Sequence, residues 1–337
     1  MTDGIYTLAN DVVYDQVVAL LNSIEVNLSP EFPVWIIPYD NRLDRIQELV
    51  KSRNNVELLS DEAILSRWED FAYEIWKRHP SALANWQSRG IEGVNRLGMH
   101  RRFCAFDEDS PLENFIYCDG DVLVLNQLDF VFDRIHDKDF VVYDFQYKDL
   151  SHVYNIHSEK VGEIFPQERL SSEIFCAGFY ASKRGLFPQE TREWLLQQLE
   201  SGEAEILYPN GPDQSILNYM TMRCDRPAYN FSLQLPKEQT TGCSVTSPHF
   251  EQRGHLLYDK GVQLTYLHYI GISSKVFTRL CAGENLDFPY RDIFLHYRYL
   301  HEPEKRPQFV GKPKPYNAPP TFIDKVLRKL GMKTSRK

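Results

Sequence analysis

The chain of 337 residues is long enough for one large domain or two small ones, each with its own hydrophobic core. Hydrophobic residues make up 42% of it and charged residues 25%, which is typical of a globular protein and excludes a disordered or fibrous chain. The net charge of −9 argues against nucleic-acid binding, which normally requires a basic surface, and no apolar stretch is long enough for a membrane-spanning helix.

The cysteines and the N-terminus indicate the compartment. None of the six cysteines forms a Cys-x-x-Cys pair, so we expect reduced thiols rather than disulfides or a zinc site. The first residues contain neither the basic segment nor the apolar run of a signal peptide. The sequence therefore predicts a cytoplasmic protein.

Strands and helices are predicted to alternate in the first 50 residues. Apolar runs predict strands over Gly4–Leu8 and Val34–Ile37, and helical spacing of apolar residues predicts helices over Tyr14–Ile24 and Leu43–Val50. This order is the opening of an α/β fold, in which ligands bind beyond the carboxyl ends of the strands. Neither a Gly-x-Gly-x-x-Gly segment nor a P-loop follows the first strand, so the two common nucleotide-binding motifs are not supported.

After a mainly helical stretch from 60 to 110, two carboxylates interrupt an apolar segment. Asp119 and Asp121 flank Gly120 within a strand predicted over Asn114–Leu125. Alternate residues of a strand face the same side, so both carboxylates can converge on one hard cation such as Mg²⁺ or Mn²⁺. A surface hairpin is the alternative, since Asp-Gly is a frequent turn sequence. The long apolar runs on both sides favour the metal site.

Two later segments carry further candidates. Asp213 follows Gly-Pro at a predicted helix start, where capping the helix is its commonest role. His268 ends an apolar strand, with Gly271 and Lys275 after it. It is either a core histidine or a third metal ligand, in which case Lys275 would reach a phosphate.

Together these motifs resemble glycosyltransferase family 8, which includes glycogenins and bacterial lipopolysaccharide sugar transferases. The resemblance rests on the Asp119-Gly-Asp121, Asp213-Gln214 and His268-x-x-Gly271 segments in that order, and on an N-terminal segment from Thr7 to Tyr14. It covers roughly residues 4 to 275. It implies a GT-A fold, which is a single Rossmann-like mixed sheet flanked by helices.

The resemblance also implies roles for individual residues. Asp119, Asp121 and His268 would hold Mn²⁺, or Mg²⁺, against the donor diphosphate. The residues implied to bind the nucleotide-sugar are Thr7, Leu8, Ala9, Asn10, Tyr14, Arg102, Gly271 and Lys275. Those implied to act at the transferred sugar are Asp213, Gln214 and Glu173.

The chain departs from the family pattern at several of these positions. Cys176 stands where the family has Asn, and Arg102 stands where it has Lys. An extra residue precedes Lys275, and the Pro-Trp that usually follows it is missing. These departures affect the predicted sugar site more than the predicted metal site.

Three segments are predicted by composition. Residues 1–300 would form the GT-A domain and 301–320 a Pro-rich linker, followed by a basic amphipathic helical tail over 321–337. The tail either packs on the domain or contacts anionic lipid at the inner face of the membrane.

The predicted function is that of a hexosyltransferase-type glycosyltransferase in polysaccharide biosynthesis. The resemblance implies a UDP-sugar donor and retention at the anomeric carbon, with a glycan or a lipid-linked acceptor. The alternatives are a nucleotide-sugar-binding protein without transfer activity and a GT-A-like nucleotidyltransferase, although the latter usually has a Gly-rich basic loop after its first strand.

Overall fold

The computed structural model describes residues 2–317. Its strands are β1 (Asp3–Ala9), β2 (Val34–Pro38), β3 (Val56–Leu58), β4 (Asn114–Asp119), β5 (Val122–Val124), β6 (Phe140–Val142), β7 (Phe179–Lys183), β8 (Ala228–Asn230), β9 (Glu251–Arg253), β10 (Leu256–Asp259), β11 (Val262–Gln263), β12 (Tyr266–His268), β13 (Leu286–Asp287) and β14 (Lys314–Pro315).

The α-helices of the same region are α1 (Tyr14–Asn27), α2 (Asp44–Lys51), α3 (Glu62–Arg78), α4 (Ala82–Ser88), α5 (Asp129–Ile135), α6 (Lys160–Ile164), α7 (Gln167–Leu170), α8 (Gln189–Glu200), α9 (Pro212–Arg223), α10 (Phe231–Gln234), α11 (Ser274–Cys281) and α12 (Arg291–Arg298). Short 3₁₀ helices include Asp11–Val13 and Leu97–Phe106.

Seven strands form the central sheet in the order β3-β2-β1-β4-β7-β6-β8. All are parallel except β7, which runs antiparallel to both β4 and β6. The sheet is therefore mixed, and the carboxyl ends of β1, β2 and β4 meet at one edge. This edge is where an α/β sheet binds its ligands.

Both faces of the sheet are buried, as the apolar runs of its strands predict. Side chains alternate along β4, so Phe115 belongs to the hydrophobic cluster that includes residues of α3, α8 and α9, while Ile116 belongs to the cluster that includes residues of α1, α2 and α5. A third cluster joins α11 and α12 to the far side of α1. The predicted α/β class, with a single mixed sheet flanked by helices, is confirmed.

The elements predicted for the first 50 residues are present with slightly different ends. One other prediction needs correction. The segment 114–125 is not one strand, because a turn at Gly120–Asp121 divides it into β4 and β5. The second half leaves the central sheet and pairs antiparallel with β12. The stretch from 60 to 110 is mainly helical as predicted, and its last helix, Leu97–Phe106, is of the 3₁₀ type.

The C-terminal part of the described chain runs back over the domain. There β14 pairs with β13, and the Nδ2 of Asn285 donates to the carbonyl of Gly311 at 2.8 Å. Only residues up to 317 of the predicted linker 301–320 are described, and the predicted tail 321–337 lies outside the described residues. Between residues 2 and 317, no helix has both the length and the apolar character needed to cross a membrane.

Candidate metal and donor site

Strand pairing brings three possible metal ligands together. In the central sheet Asp119, the last residue of β4, lies beside Leu8 near the end of β1. In the small ladder His268 lies opposite Val122, the residue after Asp121. One ligand atom each from Asp119, Asp121 and His268 can be chosen so that all three lie within 4.8 Å of one another. Strand pairing therefore brings the side chains of Asp119 and His268, which are far apart in sequence, to the same place.

One oxygen of the Asp119 carboxylate accepts hydrogen bonds from protein side chains. Its Oδ1 accepts hydrogen bonds from the Nη2 of Arg102 and from the hydroxyl of Tyr117, both at 3.0 Å. Its Oδ2 lies near Gly178, at 3.1 Å from the position that a Cβ of this residue would take. Burial and the neighbouring Asp121 raise the pKa of Asp119 in spite of Arg102. A site that accumulates negative charge in this way favours a cation.

The backbone of His268 makes two hydrogen bonds, and one of its ring nitrogens lies next to a carboxylate. Its N–H donates to the carbonyl of Cys243 at 2.7 Å, and its carbonyl accepts from Val245 at 2.9 Å. The Nε2 lies 3.3 Å from the Oδ1 of Asp121. Burial opposes a charged imidazole, but the carboxylate of Asp121 outweighs it and raises the pKa of His268 well above its ordinary value.

The space beside this ring exists because residue 178 is glycine. A Cβ at Gly178 would lie 2.3 Å from the Cε1 of His268 and 3.1 Å from the Oδ2 of Asp119. Contacts below 3.0 Å force neighbouring atoms to move. The donor set of two carboxylates and one imidazole suits Mn²⁺ or Mg²⁺, so these residues fit a divalent cation.

Arg102 links the possible metal ligands to Asp213. Its guanidinium is only 1% exposed, and its Nη2 lies 3.0 Å from both the Oδ1 of Asp119 and the Oδ2 of Asp213. The remaining donors reach backbone carbonyls of Ala177 at 2.7 Å and Met99 at 3.2 Å. Burial disfavours the charged guanidinium, but the two carboxylates raise the pKa of Arg102 well above its ordinary value.

The first turns of α9 hold the loop that precedes β7. The Oε1 of Gln214 accepts from the backbone N–H of Ala177 at 3.1 Å, and its Nε2 donates to the carbonyl of His152 at 3.1 Å. One turn later, the amide of Asn218 makes two hydrogen bonds of 2.9 Å to the backbone of Phe175. Helix α9 therefore fixes the loop 175–178. Asp213 is not the cap of this helix, which is Gly211, and its carboxylate pairs with Arg102 instead.

These groups line a cleft of about 960 Å³ at the carboxyl edge of the sheet. The predicted site residues that line it are Leu8, Ala9, Asn10, Arg102, Asp119, Asp121, Asp213, Gln214, His268 and Gly271. Asn10 is oriented by a hydrogen bond of 2.9 Å from its Nδ2 to Asp40. The structure thus gathers most of the predicted residues around one cavity.

Four predicted site residues do not line this cleft. Thr7 is fully buried in β1, and Lys275 is exposed in the first turn of α11. Tyr14 lines a separate cavity and has the guanidinium of Arg45 3.7 Å from its ring centroid. Glu173 is engaged by Arg169 through two hydrogen bonds of 2.7 Å.

Sequence reasoning missed several residues of the site. Gly178 and Tyr117 act through contacts that spacing does not reveal, although Gly178 belongs to a segment that the resemblance includes. Asp144 is another, since its Oδ2 accepts from the backbone N–H of Cys176 at 3.2 Å and burial raises its pKa to about 7. Gln146 and Tyr208 also line the cleft. Apart from Gly178, none of these lies in a sequence pattern that marks a ligand site.

A scan of protein-family models finds no match to this chain, and neither does a search of curated proteins. Among solved structures, mouse xyloside xylosyltransferase 1 is 10% identical with a TM-score of 0.48, over 68% of this chain and 85% of that one. The galactosyltransferase LgtC, in complex with donor and acceptor sugar analogues, is 14% identical with a TM-score of 0.49, over 82% and 94%.

A third similar structure is that of core-mannan synthase A from Aspergillus fumigatus in its Mn/GDP form. It is 9% identical with a TM-score of 0.41, over 69% of this chain and 73% of that one. At such distances the function of this chain has to be inferred from the geometry of its own cleft.

Proposed function

We propose that this protein is a metal-dependent glycosyltransferase of the GT-A type that moves a sugar from a nucleotide diphosphate, with UDP favoured, to a glycan or lipid-linked acceptor. The observation that carries the proposal is the convergence of Asp119, Asp121 and His268 inside the cleft. The same cleft is lined by Leu8, Ala9 and Asn10 at the end of β1, where an α/β sheet binds nucleotides.

The chemistry follows from the charge that forms in the reaction. When the bond between the anomeric carbon and the phosphate breaks, the departing nucleoside diphosphate gains negative charge. A divalent cation, when bound, supplies Lewis-acid stabilisation of that charge. Asp119, Asp121 and His268 would hold it, and their own protein contacts fix the position of its ligands before substrate arrives.

Arg102 is proposed to couple the metal ligands to the sugar end of the cleft. Since its guanidinium touches both Asp119 and Asp213, the two carboxylates keep a fixed separation. We expect Asp213 and Gln214 to orient the transferred sugar and to stabilise positive charge at its anomeric carbon. Preorganised polar groups of this kind each contribute roughly 3–4 kcal/mol to lowering a barrier.

The phosphate end of the cleft would be closed by the segment that follows β12. Gly271 has φ +82°, a left-handed conformation that favours glycine, and it lines the cleft together with Ser274. Lys275 lies in the first turn of α11, directly after Ser274, which lines the cleft. We therefore expect its ammonium group to reach the diphosphate.

Thermal unfolding tests the donor site directly. The protein would be heated with UDP, GDP, ADP or CMP, each with and without Mn²⁺. A ligand present at 100 times its Kd stabilises the folded state by about 2.7 kcal/mol. Stabilisation by one nucleotide only in the presence of Mn²⁺ is the expected result, and no stabilisation by any nucleotide would contradict a donor site.

Transfer itself is tested by release of the nucleoside diphosphate from candidate donor sugars. The Asp121→Asn variant should lose Mn²⁺-dependent release while it keeps its fold. Asp137→Asn is a matched control, because it removes the same charge from an exposed residue that pairs with Arg134 at 3.8 Å. Equal release by the Asp121 variant and the wild type would refute the assignment of the site.

A further inference from the structure

Gln16 lies in the first turn of α1, where it lines the cleft although its side chain is only 5% exposed. The next two residues of the helix, Val17 and Val18, are buried apolar side chains. Among the residues that the structure describes, none is a hydrogen-bond partner of the buried Oε1 of Gln16. Burial of an amide oxygen without a partner lowers stability, because a bond to water is lost and no other is gained. The wall of the cleft therefore contains an amide that the fold itself does not use.

Two other carboxamides that line the cleft are engaged by the protein at both ends. The Oδ1 of Asn10 accepts from the backbone N–H of Val12 at 3.0 Å, and its Nδ2 donates to Asp40 at 2.9 Å. Gln214 makes two hydrogen bonds of 3.1 Å to backbone groups. These two amides are fixed by protein contacts, whereas the oxygen of Gln16 has no such contact.

A carboxamide suits a neutral polar edge of a ligand better than a charged one. It offers one acceptor oxygen and two donor N–H groups, and it carries no net charge. The last bond of a Gln side chain has a broad, two-fold rotation, so a half turn exchanges the oxygen and the nitrogen within nearly the same volume. The amide of Gln16 is therefore able to present either an acceptor or a donor to the cleft.

The position of Gln16 indicates which part of the donor it meets. Helix α1 begins directly after the 3₁₀ helix Asp11–Val13, and Val12 and Val13 line the same cleft. They extend the wall formed by the end of β1, which the proposed function assigns to the nucleoside. A nucleoside has neutral hydrogen-bonding edges on its base and on its ribose, and both include donors and acceptors.

We propose that the carboxamide of Gln16 hydrogen-bonds the nucleoside of the donor and so contributes to nucleotide affinity. This inference rests on the proposed function and adds a residue to its donor site. It also supplies a nucleoside contact from α1 in place of Tyr14, which begins the same helix but lines a separate cavity.

Isothermal titration calorimetry with UDP in the presence of Mn²⁺ measures this contribution without any need for turnover. Gln16→Met removes the amide and keeps a side chain of similar length. We expect a Kd for UDP about 3- to 10-fold higher in the variant, as loss of one hydrogen bond between neutral groups predicts. Inorganic pyrophosphate with Mn²⁺ lacks the nucleoside, so its Kd should be the same in both proteins.

Urea unfolding separates binding from structure. Because the Oε1 of Gln16 has no partner to lose, Gln16→Met should be at least as stable as the wild type. Gln47→Met is the matched control, since it removes the same amide from an exposed residue of α2 and should change neither Kd. Gln16→Leu provides the same comparison if the Met variant does not fold.

Three outcomes would count against the proposal, and they are distinguishable. Wild-type affinity for UDP in a folded Gln16 variant would overturn this inference and leave the proposed function standing. Equal weakening of UDP and pyrophosphate would also overturn it, because the amide would then act at the metal or the phosphates. Failure of the wild type to bind either UDP or GDP with Mn²⁺ would overturn the donor site and this inference together.

The analogue 2′-deoxy-UDP identifies the edge that is bound. If the difference in Kd between the wild type and Gln16→Met persists with this analogue, the amide binds the base or another ribose oxygen. If the difference disappears, the amide binds the 2′-hydroxyl. Either result supports a contact with the nucleoside.

Discussion

Gly178 lies against the imidazole of His268 so closely that a Cβ at this position would be 2.3 Å from Cε1 and 2.9 Å from Nδ1. We therefore predict that Gly178→Ala displaces the ring and weakens Mn²⁺ binding by at least about 10-fold, as loss of correct ligand orientation does. Titration of Mn²⁺ measures the effect. Gly162→Ala is the control, since a Cβ there meets no atom within 4 Å, and affinity equal in both variants would contradict the prediction.

Arg102 is expected to be essential for stability as well as for the site. In Arg102→Gln, the half-buried carboxylate of Asp119 and the buried carboxylate of Asp213 lose their shared cation, and removal of one member of a buried ion pair typically costs about 3–5 kcal/mol. Urea unfolding in the presence of EDTA measures this cost. Arg42→Gln breaks the exposed pair with Asp40 and should cost much less stability than Arg102→Gln. Similar losses in both variants would argue against a buried bridging role.

Glu173 and Tyr14 do not line the cleft, so we expect that neither residue contributes to nucleotide binding. We predict that Glu173→Gln leaves turnover and nucleotide affinity unchanged, because its carboxylate is engaged by Arg169. Tyr14→Leu should likewise leave nucleotide affinity unchanged. A steady-state assay and nucleotide titrations measure both, with Asn10→Ala as the comparison that should weaken nucleotide binding. Loss of turnover in the Glu173 variant would support the role that the resemblance implied.

We predict that the buried imidazole of His100 makes the stability of the folded protein depend on pH. Its Nε2 accepts from the Nε1 of Trp76 at 3.0 Å and its Nδ1 lies 3.1 Å from the carbonyl of Leu97, so the neutral ring satisfies both contacts. Burial lowers the pKa of His100 from 6.5 to about 4. The unfolded chain binds this proton more readily, so stability is full above pH 6.5 and falls as pH decreases towards 4.

From pH 7 to pH 5 the contribution of this group to stability should decrease by about 2 kcal/mol. Urea unfolding at both pH values measures the total change, and His100→Asn isolates the part due to the imidazole. The variant should be less stable at pH 7 but should lose about 2 kcal/mol less on acidification. An identical loss in the two proteins would show that His100 is not the titrating group.

Several features were predictable from local patterns. The apolar runs of β1 and β2 and the helical spacing over α1 identify the alternation of an α/β sheet, because the periods of burial in strands and helices differ. Asp119 and Asp121 stood out for the same reason, as carboxylates inside a segment that is otherwise buried. The similarity of three spaced motifs to a known family then suggested His268 as their partner.

Other features depended on contacts between distant segments. Spacing did not show that the chain breaks at Gly120, because the second half of that apolar segment is buried against β12 rather than in the central sheet. Nor did it place Glu173 with Arg169, or Tyr14 under Arg45, since side-chain partners on helices are chosen by the neighbouring elements.

The sequence by itself therefore determined the type of fold and the presence of paired carboxylates, both of which follow from local periodicity. Only the tertiary structure decided which residues share the cleft. The antiparallel pairing of β5 with β12 sets His268 beside Asp121, and a fully buried Arg102 joins Asp119 to Asp213, which are more than ninety residues apart in the sequence. The distances between these side chains are fixed by strand register and by packing. Both depend on how distant strands and helices meet, and not on the residues next to each side chain in the sequence.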